Sequence, residues 1–320
     1  MMNKRLITIL SVILVLTFVA ALCTTGFAAK KLVIGYATKS SSAPFWVILN
    51  NGATQAAKDL DINLVMLGPP KENDIVGQLA VIEDLINRGS KGLVIAPCDS
   101  VGVSPVVLKA NKKKIPVIAV DTAIQGNGVV TSFVATDNIK AAESAAAWMG
   151  KRLKGVGNIV LINGMISQGT GKDRYEGFRD YLAKNYPQMK IVTSIAADWN
   201  EEKALKGMED AMQANPVIDG VFVGWDGAAL VAHKVLTEAG RKSKTVICGF
   251  DCYDQSLRLM KQGTFEADVA QFPYKMGYEA IKTAVMAAKG IKVPARIDTG
   301  TMLVTPDNVD EYIKDNNIKL

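Results

Sequence analysis

The chain has 320 residues, 49% of them hydrophobic and 21% charged, with a formal net charge of +6. That is the composition of an ordinary folded protein, long enough for two domains of about 100 to 200 residues each. The basic excess is mild and scattered, and its densest run, "NKKK" at 111–114, reads as a solvated turn, so nucleic acid is not an expected partner.

Residues 1–28 read as an export signal. Lys4 and Arg5 form a positive n-region, an apolar run extends from Leu6 to Leu22, and Gly26 and Ala28 take the small-residue positions of a cleavage site. A membrane anchor would need a stop-transfer flank, and a charged globular sequence follows instead. Cys23 suggests a lipoprotein, but Leu22 stands where a lipobox has Gly or Ala. The expected product is a freely soluble chain starting near Ala29, with a charge of +4 once Lys4 and Arg5 are removed. Cys98, Cys248 and Cys252 then remain, an odd number without the spacing of a disulfide framework. The single histidine, His233, falls within a helix and reads as a packing or surface residue. No metal or other cofactor is expected.

The first strand is "KLVIGYA" at 31–37, a continuous apolar run rich in β-branched residues. From Phe45 the apolar positions change to a helical stripe through Ile48, Leu49, Ala53, Ala56 and Leu60. The strand "INLVML" follows, then a helix with Ile75, Leu79, Ile82 and Ile86 on one face, closed by Gly89. Next come the strand "GLVIAP", a helix over about 104–113 and the strand "IPVIAVD". After "TSFVATDN" the alternation resumes with a helix over about 138–154, Trp148 packed on its apolar face. Then follow "NIVLING", a helix containing "RYEGFRDYL", "KIVTSIA", and a helix over about 200–214. "GVFVGWD" and "TVICGFD" flank a helix around His233, and "EADVAQFP" leads into a last long helix over about 274–289. Strands this apolar require cover on both faces, which means parallel sheets between helices. The fold class is therefore α/β, with two doubly wound parallel-sheet units.

Ligands in such sheets bind beyond the carboxyl ends of the strands. Those ends carry Lys39 with Phe45 and Trp46, then Pro97-Cys98-Asp99, then Asp121. In the second half they carry Asn163, Trp199, Trp225-Asp226, Asp251 and Gln271, with Arg174 in the first turns of the helix after "NIVLING". Three of the four tryptophans stand at these ends, and Trp148 is the exception. Aromatic faces suit the C–H face of a sugar or polyol, and carboxylates, amides and a guanidinium direct strong hydrogen bonds to hydroxyls. Singly, Trp46 or Trp225 would serve as well in a core, and Asp226 reads as a helix N-cap; the set points to a carbohydrate pocket. Catalytic patterns are lacking. There is no nucleophile elbow, "SQGTGKD" lacks the spacing of a phosphate loop, and Asp121 with Asp251 would be a glycosidase pair only in a hydrolase fold.

The chain resembles the periplasmic sugar-binding proteins of ABC transporters, the ribose- and allose-binding branch in particular. "PFW", "PVIAVD", "ATDN", "RYEGF", "ADW", "GFD" and "VAQFP" carry the resemblance, which runs from about Lys30 to Val304. It implies a periplasmic, monomeric binding protein without enzymatic activity, which captures a monosaccharide or polyol by hinge closure and hands it to a membrane permease. It implies two lobes joined by a three-strand hinge, residues 29–135 plus 272–297 and residues 136–271 plus 298–320, with crossings near Thr136, Gln271 and Thr299. By the same resemblance Lys39, Phe45 and Trp46 line one wall; Trp46 stacks on the sugar, while Phe45 also turns into the helix stripe. Asp121 accepts from hydroxyls, Arg174 donates, Trp199 is the aromatic of the opposite lobe, and Asp251 and Gln271 complete the polar shell. Three positions depart from the ribose pattern: Thr122 replaces an Arg, Trp225-Asp226 replaces Asn-Asp, and Lys39 stands where ribose binders carry Ser, as in allose-type binders. Thr122, Trp225 and Lys39 count among the ligand-facing positions, and the departures favour a hexose such as allose or psicose, or a related pentose or polyol, over ribose.

Three other readings compete. The effector domain of a LacI-type repressor would need a helix-turn-helix where the export signal stands. A receptor for an autoinducer-2-type furanosyl signal would share Lys39 and the turn at Gly68-Pro69, but its pocket would carry fewer aromatics. An enzyme would turn over its sugar.

Overall fold

The computed structural model describes residues 31–69 and 71–320; the export signal expected over residues 1–28 lies outside them. Two six-stranded sheets organise the chain. The first contains β1 (Val33–Ala37), β2 (Asn63–Leu67), β3 (Gly92–Ile95), β4 (Val117–Val120), β5 (Ser132–Ala135) and β11 (Arg296–Asp298). Its order is β11-β5-β4-β3-β1-β2, and every pair is parallel. The second contains β6 (Gly157–Asn163), β7 (Met189–Ala196), β8 (Gly220–Val223), β9 (Val246–Phe250), β10 (Ala267–Gln271) and β12 (Thr301–Val304). Its order is β12-β10-β9-β8-β6-β7, parallel except for the antiparallel edge strand β12.

The inner strands β3, β4 and β8 are buried throughout, because helices cover both faces of each sheet. The outer strands β2 and β7 are less apolar and partly exposed. On the first sheet, α1 (Pro44–Asp59), α2 (Ile75–Asn87) and α3 (Ser104–Lys112) follow the strands in turn. On the second, α4 (Asn138–Arg152), α5 (Gly169–Asn185), α6 (Glu201–Ala214), α7 (Asp226–Glu238) and α8 (Asp254–Lys261) do the same. Trp148 of α4 packs half-buried against the core beneath the second sheet. The long helix α9 (Pro273–Ala288) leaves β10 and returns to the first sheet, where Met276, Ala280, Ile281 and Ala284 join the core of Ile34, Tyr36 and Leu49. There α9 crosses α1 at backbone contact: a Cβ on Gly52 would strike the Tyr274 carbonyl oxygen, and one on Gly277 would strike that of Leu49. A short helix, α10 (Val309–Asp315), ends the chain.

The chain passes between the sheets three times, after β5, after β10 and between β11 and β12. Arg296 ties the first of these passages to the third. Its Nη2 donates to the carbonyls of Ala135 (3.2 Å) and Thr136 (2.8 Å), and its guanidinium lies 4.2 Å over the Phe133 ring. Lys275 Nζ donates to the Thr299 carbonyl at 3.1 Å, binding the second passage to the third. Among the described residues no helix is long and apolar enough to cross a membrane.

Candidate functional site

The carboxyl ends of both sheets line one pocket. From the first sheet it takes Lys39, Pro44, Phe45, Trp46, Glu72 and Asp121. From the second it takes Gln168, Thr170, Arg174, Trp199, Glu201, Trp225, Asp251, Tyr253 and Gln271. Of the ten positions expected to face ligand, Thr122 alone stands behind this lining.

On the first wall, Lys39 is 1% exposed. Its Nζ donates to Thr122 Oγ1 (2.7 Å) and Gln168 Oε1 (2.8 Å) and lies 3.5 Å from Asp121 Oδ2. Thr122 Oγ1 donates in turn to Asp121 Oδ2 at 2.6 Å. The threonine thus organises a lysine and a carboxylate where the ribose pattern has a guanidinium. Asp121 is turned over the end of β4 by a three-residue turn in which Thr122 N donates to the Val120 carbonyl (2.6 Å), at φ 62°. Pro44 starts α1 in its first turn, and Phe45 and Trp46 follow. Both rings line the pocket and both are core residues, meeting edge to face at 5.2 Å between centroids. Phe45 therefore seals the core and faces the pocket together. The Trp46 indole hydrogen-bonds Glu72, whose carboxyl burial pushes above its ordinary value while Lys39 opposes the shift.

On the second wall, Arg174 is held from behind. Its Nε donates to Asn138 Oδ1 (2.8 Å) and its Nη1 to the Gly224 carbonyl (2.7 Å), with Asp251 Oδ1 at 3.9 Å. The guanidinium stacks 3.7 Å over Phe250, and burial lowers its pKa. Gln271 Nε2 donates to Asp251 Oδ1 at 2.7 Å, while its buried Oε1 has no protein partner. Burial pushes the Asp251 carboxyl up to about 7, against the pull of Arg174. Trp199 and Trp225 meet edge to face at 5.3 Å. Gly164 makes room for the Trp199 indole, since a Cβ there would occupy the ring.

Asp226 departs from its expected capping role. Trp225 takes the N-cap position of α7, and Asp226 is the first helical residue, fully buried. Its Oδ2 accepts from Tyr253 N at 2.6 Å, and its carboxyl meets that of Asp268 on β10. Burial raises Asp226 to about 6 and Asp268 well above its ordinary value, so the pair shares a proton.

Sequence reading passed over Glu72, Gln168, Thr170, Glu201 and Tyr253. Gln168 lay in the glycine-rich stretch set aside as a poor phosphate loop; its signal was a polar residue directly before a helix start. Glu72 lies in a polar turn and Tyr253 two residues beyond Asp251, and neither carries a pattern of its own. Cys98, Cys248 and Cys252 are free and buried. Among the described residues no group of three His, Cys, Asp or Glu side chains is placed to hold a metal ion. His233 leans on Phe265 with ring centroids 6.4 Å apart.

The chain has clear relatives. The D-allose-binding periplasmic protein of Escherichia coli (strain K12) is 31% identical over 279 residues, 85% of this chain and 89% of its own. The ribose import binding protein RbsB of Salmonella typhimurium is 31% identical over 301 residues, 94% of this chain and 98% of its own. A solved carbohydrate transporter solute binding protein from Agrobacterium radiobacter, in complex with D-arabinose, matches with a TM-score of 0.85 at 31% identity, covering 91% of this chain and 100% of that one. With the family model described as periplasmic binding protein domain matching residues 34–292, the chain belongs to the periplasmic binding proteins.

Proposed function

We propose that the protein is an exported solute-binding protein that captures a monosaccharide or polyol between two lobes and delivers it to the permease of an ABC importer. The observation that carries this is the make-up of the pocket. Buried carboxylates, an amide and a guanidinium converge on one space from the ends of both sheets, between aromatic faces. An unpartnered Gln271 Oε1 in the lining is an acceptor that a ligand hydroxyl would satisfy. The lobes of this reading are residues 29–135 plus 272–297 and residues 136–271 plus 298–320, and the three passages between the sheets are the hinge.

The relatives named for D-allose and ribose, and the one holding D-arabinose, support a hexose or pentose. An allose- or psicose-like hexose suits Thr122 and Trp225, which replace the residues of the ribose pattern. A furanosyl signal of the autoinducer-2 type would also meet Lys39, but it would leave Phe45, Trp46, Trp199, Trp225 and Tyr253 with little apolar surface to cover. The chain acts as a monomer in the periplasm and binds its ligand without turnover.

A thermal-shift screen over D-allose, D-psicose, D-ribose, D-arabinose, xylitol and a furanosyl borate tests this reading. A ligand at 100 times its dissociation constant adds about 2.7 kcal/mol to stability, which is several degrees for a domain of this size. A sugar or polyol should give that shift and be recovered unchanged. No shift with any of them, or a shift with the borate alone, defeats the proposal.

A further inference from the structure

Gln168 occupies the N-cap position of α5, yet its side chain makes no capping bond. It is 1% exposed and turned into the pocket. Its Oε1 accepts from Lys39 Nζ (2.8 Å) on one wall and from Trp199 Nε1 (3.0 Å) on the other. Its Nε2 donates to the Cys98 carbonyl beyond β3 at 2.8 Å. One amide thus joins a cation of the first sheet, a backbone carbonyl of the first sheet and an indole of the second. The start of α5 is capped from across the cleft instead: Gly169 N donates to Ser100 Oγ (3.0 Å), and Ser100 N donates to the Ser167 carbonyl (3.3 Å).

We propose that Gln168 is the positioning residue of the cleft: it orients Lys39 and Trp199 through one shared oxygen and clasps the two walls together through protein atoms alone. The role rests on the cleft being the ligand site. The physical reason lies in the buried lysine. An ammonium has three donors, and two of its acceptors, Thr122 and Asp121, belong to its own wall. The third comes only when the opposite wall arrives. A hydrogen bond to a charged group is stronger than a neutral one, so closing the walls gains a bond that local residues do not provide. The same oxygen fixes the indole N–H of Trp199, which stands on Gln168's own wall, so the amide orients this aromatic whether or not the walls have met. The ligand-free chain therefore populates the closed arrangement in part, and ligand selects it.

The test uses the ligand-free full chain and two readouts that a merely structural residue would not move together. Small-angle scattering reports separation of the walls, and tryptophan emission reports the surroundings of Trp199. Gln168→Met removes all three bonds at similar volume and should lower the closed-to-open ratio about tenfold or more, raising the radius of gyration. It should also alter emission in the parent background and leave it unaltered in a Trp199→Phe background. Ser100→Ala removes the seam beside it, and should raise the radius while Trp199 emission stays parental. A folded Gln168→Met protein with parental radius or parental emission overturns the proposal. Should Gln168→Met not fold, a parental radius for Ser100→Ala overturns the clasp. Neither readout needs a sugar, so failure of the sugar screen and failure of this proposal are separate results.

Discussion

Asp121, Trp199 and Asp251 hold left-handed backbone, with φ of 62°, 58° and 108°. Such conformations cost of order 1–3 kcal/mol each for non-glycine residues and persist where the surrounding structure imposes them. All three stand one to three residues beyond a strand, where the turn folds the side chain back over the strand ends and into the pocket. This is why strand-end position, read from an apolar run alone, led to these residues. It could not lead to Gln168 or Glu72, which reach the pocket only because two sheets face each other across it. The residue roles give a direct prediction. Truncating a buried anchor costs ~2–4 kcal/mol of binding, roughly thirty- to a thousand-fold in affinity. Trp46→Ala, Trp199→Ala and Asp121→Ala should each fall in that range with the sugar found in the screen. Trp148→Phe, half-buried on α4 and away from the pocket, should bind as the parent does. Calorimetric titration decides: parental affinity in folded Trp46→Ala, Trp199→Ala and Asp121→Ala would place the ligand elsewhere.

At the scale of elements, the long periodic pieces were legible and the short ones were not. The strands β1 to β4 and β6 to β9 and the helices from α1 to α7 and α9 announce themselves by period and apolarity, with bounds within a few residues, whereas the buried β5 and β10 read only as the connecting segments "TSFVATDN" and "EADVAQFP". Strands β11 and β12 are three or four residues long with mostly exposed or half-exposed side chains, and α8 and α10 span eight and seven residues, too short for a stripe to stand out. The contact between α7 and β10 through Asp226 and Asp268 was invisible for another reason: sheet order, not local pattern, brings those carboxyls together. It has a consequence for stability. Asp226, Asp251 and Asp268 all have folded pKa values above the ordinary carboxylate value, so the folded chain retains protons that the unfolded chain releases. The resulting stabilisation is full below that ordinary value, near 4, and is lost as pH rises through about 6 for Asp226, about 7 for Asp251 and higher for Asp268. His233 acts in the opposite sense, because burial lowers its pKa, but it is one group against five, since burial also raises Glu72 and Asp173. The melting temperature should therefore fall between pH 5 and pH 8. Asp268→Asn, which offers Asp226 an amide N–H at every pH, should flatten the slope and melt higher than the parent at pH 8. Melts that stay level or rise with pH across this window would remove the shared proton from the account.

For the whole molecule, the question is what moves when ligand enters. The cores of the two sheets are separate clusters, and the chain joins them through three short passages. Rotation about those passages leaves both cores packed and changes only the contacts across the cleft. Arg296 and Lys275 bind the passages to one another through the carbonyls of Ala135, Thr136 and Thr299, so in the proposed hinge the three would bend together. A ligand touching both walls binds the closed arrangement more tightly than the open one, and it shifts the balance by that difference in affinity and no more. The clasp at Gln168 supplies part of the closing free energy in advance, so the parent should change less on binding than a variant without the clasp. Small-angle scattering at saturating ligand should show the radius of gyration falling for the parent and falling further, from a larger starting value, for Gln168→Met. Both should arrive at the same bound radius, because the ligand bridges the walls in each. An unchanged parental profile at saturation, with binding confirmed by calorimetry, would mean that ligand enters a cleft that does not close around it, and the hinge would then have no part in capture.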